Sequence, residues 1–221
     1  MKTYTATADS SSTIGYCRYG VTSWNTGYDT GACQGAYEGT SASDSRVGIM
    51  VFQNADTYLK GRAIKEITFS ITCPGAGSGS SSKKLSFRRA NYQYINKNVK
   101  GSAQVGDVLG TLVGKFYENT STHTLNSSTN SSFFMELKQY LYEGNCALVI
   151  YNGEVSGSDA GDYSTNYARI NTITMTVEYE EATVWYCNGG QWVECSVYYC
   201  NGGQWIQVVP YYNSGGTWIK T

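Results

Sequence analysis

The sequence predicts an all-β protein: an antiparallel β-sandwich followed by a small C-terminal module of short strands. Three observations predict this class. The 221 residues include 25 Gly and 20 Tyr but only 2 Pro, and 15% are charged, which suits many short strands joined by tight turns. Apolar segments of strand length recur through the first 180 residues without the alternation of strands and helices that a parallel sheet requires. The last 38 residues write one 13-residue pattern three times.

The first half of the chain contains four predicted strands. Residues 2–8 alternate in polarity, and a second candidate covers residues 16–21, before a long loop rich in Gly, Ser, Thr and Asp. RVGIMVF at 46–52 is almost continuously apolar, which is typical of a buried strand. The segment 64–73 alternates over its length, with a shift of phase at Glu66, which predicts a strand buried on one face.

The second half of the body predicts further strands and one helix. No strand-helix-strand rhythm runs through it, so the antiparallel sandwich remains the natural class. The predicted segments are, in chain order, a Gly/Ser hairpin tip at 74–82, a return strand at 85–94, two short apolar runs at 105–117 split by Gly110 and Gly114, a loop or edge at 118–132, a helix at 133–142, a buried strand at 146–151, a loop at 153–164 and a closing strand at 170–179.

The C-terminal tract divides the chain into a body, residues 1–181, and an appendage, residues 182–221. The three copies read VWYCNGGQWVEC, VYYCNGGQWIQV and PYYNSGGTWIKT. Only two charged residues, Glu194 and Lys220, lie within these copies. Repeats this short are supersecondary units whose faces need a neighbour to bury them.

Two geometries are open for the appendage. Asn-Gly is a strong hairpin signal, and loops at 188–189, 201–202 and 214–215 would place one strand in each repeat and produce a four-stranded antiparallel meander. That register sets Trp185 opposite Trp192. It gathers six rings on one face, which we expect to contact a partner or to serve assembly: Trp185, Trp192, Tyr198, Trp205, Tyr211 and Trp218. In the competing geometry, each repeat breaks at 194–196 into a separate short hairpin.

Catalysis is not expected. The one histidine, His123, lies among Ser, Thr and Asn with no catalytic motif around it, and no P-loop, dinucleotide-binding or EF-hand pattern occurs. The seven Cys lack the CxxC pairs of a zinc site, so no metal and no cofactor are predicted. GSDAGD at 157–162 offers two carboxylates as a weak calcium candidate, against the plainer interpretation of a solvated turn.

The bulk charge and hydropathy also limit the partners. The net charge of −1 predicts no general attraction to nucleic acid. No segment approaches the ~20 apolar residues of a membrane span, so membrane insertion is not expected. The N-terminal segment MKTYTATADSSS has no apolar run behind its lysine, which predicts no secretory signal.

One loop of the body carries a candidate binding site. Trp24, Asn25, Tyr28 and Asp29 lie close together in the long loop after the second predicted strand. An exposed indole can stack on a sugar ring while amide and carboxylate groups accept or donate hydrogen bonds to hydroxyls. The alternative is a Trp24 that folds back over the sandwich and covers one end of its core.

The order of these features resembles the DNRLRE-like jelly-roll sandwiches of the carbohydrate-binding-module type. The likeness covers roughly residues 1–180 and rests on a series of segments rather than on one diagnostic motif. These segments are TATADSSS, a long loop, RVGIMVF, LKGRAIKEITFSITC, a Gly/Ser hairpin, KKLSFRRANY, FFMELKQYL before CALVIYN, and TITMTVEYE.

Such domains followed by YYxxGxxW repeats resemble structural proteins of bacteriophage particles, notably tail-associated and fibre proteins. The second and third copies carry that match, whereas the first departs from it with Trp185-Tyr186. The resemblance implies a virion protein made in the bacterial cytoplasm, displayed on the particle, in contact with other virion proteins and often trimeric. It further implies a glycan-binding module as the alternative role, with a host cell-surface polysaccharide as ligand.

Overall fold

The computed structural model describes most of the body and the strand backbones of the appendage. Its described residues are 1–36, 44–73, 82–116, 120–154, 166–180, 184–188, 191–195, 197–201, 203–208, 211–214 and 217–220. The elements of the body are β1 Lys2–Ala8, β2 Ile14–Arg18, β3 Asn25–Thr26, β4 Ala32–Gln34, β5 Arg46–Val51, α1 Ala55–Leu59, β6 Ala63–Thr72, β7 Lys83–Ala90, α2 Gly101–Gln104, β8 Val105–Gly114, β9 Ser121–Leu125, α3 Ser131–Tyr142, β10 Ala147–Ile150, β11 Ala168–Ile170 and β12 Thr172–Glu180. The predicted all-β class is confirmed.

The strands of the body form two large antiparallel sheets and one small one. The first sheet has the order β1-β12-β6-β9, and the second has the order β3-β2-β5-β10-β7-β8. Strands β4 and β11 pair as a separate two-stranded sheet. The N-terminal and C-terminal strands of the body, β1 and β12, lie side by side along seven residue pairs, so the last strand of the body closes against the first.

The main core lies between the two large sheets. Phe69 of β6 belongs to the first sheet and Phe87 of β7 to the second, and their rings stack with centroids 5.5 Å apart. Phe133 of α3 extends this aromatic column, at 5.3 Å from Phe87. All three side chains are buried. Contacts of this kind join the sheets through apolar burial, which is the dominant favourable contribution to folding.

Strand β5, in the middle of the second sheet, is apolar on both faces. Along β5, Met50 faces the main core, whereas Val47 and Ile49 belong to a second cluster on the opposite face. This explains why RVGIMVF lacks alternation, because a strand covered on both sides has no solvent face. Residues of the segment between β7 and β8 cover the outer face, and Ile95 packs there against the second cluster.

The phase shift at Glu66 is a β-bulge. Glu66 pairs with Glu178, but the next pair along the ladder joins Ile64 to Tyr179, so Lys65 is the extra residue. The buried positions of β6 therefore run Ile64, then Ile67, with regular alternation after that. One inserted residue changes which side chains face the core without ending the strand.

The helix predicted at 133–142 is confirmed as α3. The segment before it was predicted as either a loop or an edge strand. Strand β9 lies within the segment predicted as loop or edge, and it is an edge strand that pairs with β6. The two apolar runs predicted at 105–117 are one strand, β8, with irregular pairing to β7. Helices α1 and α2 were missed because pieces of five and four residues are too short to show a helical period.

The appendage forms three hairpins, and the predicted four-stranded meander is wrong for its described residues. The strands are β13 Val184–Asn188, β14 Gln191–Cys195, β15 Val197–Asn201, β16 Gln204–Val208, β17 Tyr211–Ser214 and β18 Thr217–Lys220. They pair as β13-β14, β15-β16 and β17-β18, each a two-stranded sheet. Each strand pairs across the nearest turn, where closing the loop costs the least entropy.

The predicted register of the hairpins is also corrected. Trp185 pairs with Glu194, and Cys187 pairs with Trp192, so the two tryptophans are diagonal neighbours instead of a direct pair. The turn lies one residue later than predicted, because Asn201 and Gln204 close the second hairpin. Gly203 has a φ of 87°, a conformation that glycine adopts without strain. Within each hairpin the two predicted ring positions still lie on the same side of the ladder. The six positions are, however, divided among three two-stranded sheets and do not form the face of one sheet.

Candidate functional site

Trp24 covers the second apolar cluster instead of standing free in solvent. Its indole is half-buried against the outer face of the second sheet. The indole N–H donates a hydrogen bond to the carbonyl oxygen of Val99 at 3.0 Å. The packing and the hydrogen bond both match the alternative interpretation, in which Trp24 covers part of the core. A buried indole normally has a partner for its N–H.

The other three predicted glycan-binding residues are exposed. Asn25 lies on β3, where it pairs with Tyr16 of β2. Tyr28 is 52% exposed, and Asp29 is exposed while its carbonyl oxygen accepts a hydrogen bond from Arg169. The loop therefore divides its residues: Trp24 packs inward and Tyr28 faces solvent.

A polar cavity opens beside Asn25. Its volume is about 360 Å³, which lies within the range of about 300–1,000 Å³ of small-molecule sites. We call it the arginine cavity, and it is lined by Tyr16, Arg18, Val21, Ser23, Asn25 and Arg46. Of these described lining residues, two carry a positive charge and none carries a carboxylate.

Strands β2 and β5 position the two arginines. Arg18 and Arg46 are direct partners in the antiparallel ladder, so both side chains emerge on the same face of the sheet. Tyr16 follows on that face two residues away and pairs with Gly48. This face is the one that carries Met50 into the main core, and the arginines therefore occupy its polar end.

Gly48 lets the small sheet approach this end of the sandwich. A Cβ atom at this position would lie 2.7 Å from the backbone nitrogen of Cys33 on β4, a distance that such contacts do not allow. The pairing of β4 with β11 places Ala168 and Ile170 over the core, and Tyr167 precedes that strand. Close packing at Gly48 thus brings Tyr167 to Arg46, where its hydroxyl accepts a hydrogen bond from Nη1 at 3.4 Å.

A larger cavity lies elsewhere, between β8 and the start of α3. Its volume is about 460 Å³, and it is lined by Leu109, Gly110, Thr111, Asn130, Ser131, Ser132, Phe133 and Glu136. Its described lining holds one charged group, the carboxylate of Glu136. None of the four predicted glycan-binding residues lines it, whereas Asn25 lines the arginine cavity. The arginine cavity is therefore the better candidate site.

The histidine and the buried thiols are not among the described residues that line the arginine cavity. Burial lowers the pKa of His123, whose ring contacts Phe116 at 5.1 Å and whose Nε2 lies 3.2 Å from Ser121 Oγ. Burial raises the pKa of the Cys17 thiol to about 11 and that of Cys73 to about 12. These thiols are protonated at neutral pH, and a protonated thiol is a poor nucleophile.

Two of the sequence-based predictions fall largely outside what the structure describes. Residues 157–162, the weak calcium candidate, lie beyond the described residues. The appendage is described as backbone at five of the six predicted ring positions, whereas Tyr198 is 51% exposed. Within the part of the chain that is described, no three His, Cys, Asp or Glu residues cluster in a way that could hold a metal ion.

The helices in the described parts of the chain are too short or too polar to cross a bilayer. No family model matches the chain, and a search of curated proteins finds no match.

Sequence reasoning missed Tyr16, Arg18 and Arg46 as site residues. The sequence did contain a sign of Arg46, because this residue begins an otherwise apolar buried strand. It lies four positions before Met50, so the two side chains share one face of the strand. A cation on the core-facing side of such a strand is unusual, since arginine is seldom buried without a partner. What the sequence could not supply was the register that sets Arg18 opposite it.

Proposed function

We propose that this protein is a bacteriophage virion structural protein, a fibre or surface decoration component with no catalytic role. In this proposal the body is a jelly-roll sandwich displayed on the particle, and residues 182–221 are a repeat module for assembly. The observation that carries it is the succession of three two-stranded hairpins. A lone hairpin is marginally stable in water, so each of these needs another surface to pack against.

The composition of the appendage supports the same role. Its three copies hold two charged residues, Glu194 and Lys220, against four tryptophans. Apolar and aromatic residues with few charges are typical of the core of a protein interface. The partners we propose are a second and third copy of this chain and other virion proteins; nucleic acid and lipid are not among them.

Deletion of residues 182–221 tests the assembly role. We expect the full chain to sediment as an oligomer, a trimer by the resemblance, and the truncated chain to sediment as a folded monomer that is no longer incorporated into particles. Circular dichroism of the truncated chain serves as the control for folding of the body. If the truncated chain forms an oligomer with the same number of chains as the full-length protein, and is incorporated into particles equally well, the repeats do not mediate assembly.

A second candidate function is glycan binding by the body, as a lectin or adhesin module that recognises a host cell-surface polysaccharide. The arginine cavity favours it, because an amide, a hydroxyl and a tyrosine ring converge there, the combination that sugar hydroxyls and ring faces require. Asn25 is the one predicted site residue in its lining. Asp29 and Tyr28 follow on the same loop.

Tyr28→Ala tests this role more cleanly than a change at Trp24, whose indole supports the fold. Tyr58→Ala is the matched control, since Tyr58 is 53% exposed and Tyr28 is 52% exposed. On a glycan array we expect Tyr28→Ala and Asn25→Ala to weaken binding by roughly tenfold and Tyr58→Ala to leave it unchanged. A full-length protein that binds no glycan on the array would refute the lectin role.

A further inference from the structure

The segment that joins β7 to α2, residues 91–100, is anchored to the body by the side chain of Gln93. Its amide nitrogen donates a hydrogen bond to the Tyr140 hydroxyl at 3.0 Å. Its amide oxygen accepts from two successive backbone N–H groups, those of Cys146 and Ala147, at 2.8 and 3.0 Å. A side chain that connects α3 and the start of β10 in this way holds its own backbone in one position.

Three further side chains anchor the rest of this segment. The amide of Asn91 donates to one carbonyl oxygen in α2 and to one at the start of β8, at 3.1 and 3.0 Å. The fully buried Gln104 donates to the carbonyl oxygen of Tyr94 at 3.2 Å, and Trp24 donates to that of Val99. The segment is therefore preorganised, and a preorganised surface loses less conformational entropy when a ligand binds.

Two tyrosines flank Gln93 in this anchored segment, and we call their side chains the tyrosine pair. Tyr94 is 57% exposed, and Tyr92 is partly exposed. Their rings meet edge to face, with centroids 6.0 Å apart and planes at 68°. In such a contact the ring that supplies the edge has neither of its faces covered by its partner. The tyrosine pair thus presents aromatic surface to solvent from a fixed backbone.

The size of the tyrosine pair favours a sugar over a protein partner. A tyrosine buries on the order of 150–250 Å², so the pair offers at most about 300–500 Å², whereas a stable protein interface needs about 800 Å² on each partner. The other exposed residues of the segment carry amide or ammonium groups, which do not extend the aromatic surface. A pyranose suits this surface, because its C–H face packs on a ring and its hydroxyls hydrogen-bond to the polar groups around it.

We propose that the tyrosine pair is a stacking subsite for one pyranose of an oligosaccharide that also reaches the loop of Asn25. Lys97 Nζ lies 3.5 Å from Thr26 Oγ1, and Thr26 follows Asn25 in the lining of the arginine cavity. Three positions along the chain separate Tyr94 from Lys97, so their Cα atoms are at most about 11 Å apart. This inference rests on the glycan-binding role proposed above and adds a second subsite to it, which a longer glycan reaches and a monosaccharide does not.

The test is a titration of the full-length protein on a microarray of bacterial surface polysaccharides and their fragments, from monosaccharides to octasaccharides. For fragments longer than a disaccharide, we expect Tyr94→Ala to weaken binding roughly fivefold to tenfold. Tyr94→Phe keeps the ring and should stay within about twofold of the parent. Tyr58→Ala is the matched control, since Tyr58 is 53% exposed and its ring also contacts another, that of Tyr4 at 5.9 Å. Thermal denaturation of each variant verifies folding.

The outcomes separate this inference from the glycan-binding role. Glycan binding that Tyr94→Ala leaves unchanged overturns the subsite while the glycan-binding role stands. An equal loss in Tyr94→Ala and Tyr94→Phe overturns stacking, because the phenylalanine keeps the ring. A loss that is as large for monosaccharides as for longer fragments overturns the assignment of Tyr94 to a second subsite. Absence of binding of the parent protein to every glycan on the array overturns both the subsite and the glycan-binding role.

Discussion

The hydroxyl of Tyr140 joins α3 to two strands of the second sheet, and its removal should destabilise the body strongly. Tyr140 is 3% exposed. Its hydroxyl donates to the carbonyl oxygen of Ala147 at 2.9 Å, and it accepts from the Ala90 N–H at 3.1 Å and from the Gln93 amide at 3.0 Å. Tyr140→Phe keeps the ring but removes the hydroxyl that the Ala147 carbonyl, the Ala90 N–H and the Gln93 amide share.

The magnitude follows from which groups lose their partner. Gln93 Nε2 also donates to the Ala90 carbonyl oxygen at 3.0 Å, so it is not left alone. The Ala90 N–H and the Ala147 carbonyl lose the hydroxyl in a buried setting, and each such loss costs about 1–3 kcal/mol. We therefore expect Tyr140→Phe to lower the free energy of unfolding by about 2–6 kcal/mol, a large share of the usual total of about 5–15 kcal/mol.

Urea unfolding at pH 7, followed by circular dichroism, measures this effect against two graded controls. Tyr4→Phe removes one hydrogen bond, from its hydroxyl to the Gln53 carbonyl oxygen at 2.7 Å, and should cost about 1 kcal/mol. Tyr94→Phe changes a residue that is 57% exposed and should fall within about 0.5 kcal/mol of the parent. A Tyr140→Phe protein no less stable than Tyr94→Phe would refute the role of this hydroxyl.

Three further perturbations test other parts of the structure. Gly48→Ala should destabilise the body by about 1–3 kcal/mol, because the new methyl group meets β4 at Cys33; an unchanged melting temperature contradicts that packing. Burial raises the pKa of Cys73 to about 12. The protonated thiol therefore contributes to stability below about pH 9, and this contribution is lost as the pH rises toward 12. In urea titrations from pH 8 to 11, the free energy of unfolding should decline less steeply in Cys73→Ala than in the parent. Burial lowers the pKa of His123, so the unfolded chain binds a proton first and stability should decline as the pH falls below about 6.5. His123→Gln should remove that decline between about pH 6.5 and pH 5, where carboxylates do not yet titrate, and a persistent decline would place its origin elsewhere.

The elements that the sequence predicts well are those with a long, regular pattern. Strand β6 and the closing strand β12 alternate in polarity, and α3 has its apolar residues at helical spacing, so each shows its type without reference to its neighbours. Even the irregularity at Glu66 is visible as a break in alternation. Short elements such as α1 and β9 lack enough residues to establish any period.

The candidate site could be predicted only in part, for a physical reason that Trp24 and Arg46 illustrate. Trp24 is a residue that can stack on a sugar or seal a core, and the choice depends on the Val99 carbonyl, 75 residues away along the chain. Arg46 is visible as an odd cation in an apolar strand. Its cross-strand partner Arg18 lies 28 residues away along the chain, and only the register of β2 against β5 shows that the two arginines are opposite each other.

The appendage shows the same division most clearly. Local pattern alone established that these residues are three copies of a strand-forming unit with a glycine turn, because turn chemistry and strand propensity act over a few residues. Whether the copies join as one sheet or fold back as three hairpins depends on which strands exchange backbone hydrogen bonds. The sequence is compatible with both, and the paired backbones decide for the hairpins, since each strand takes its partner across the shortest loop.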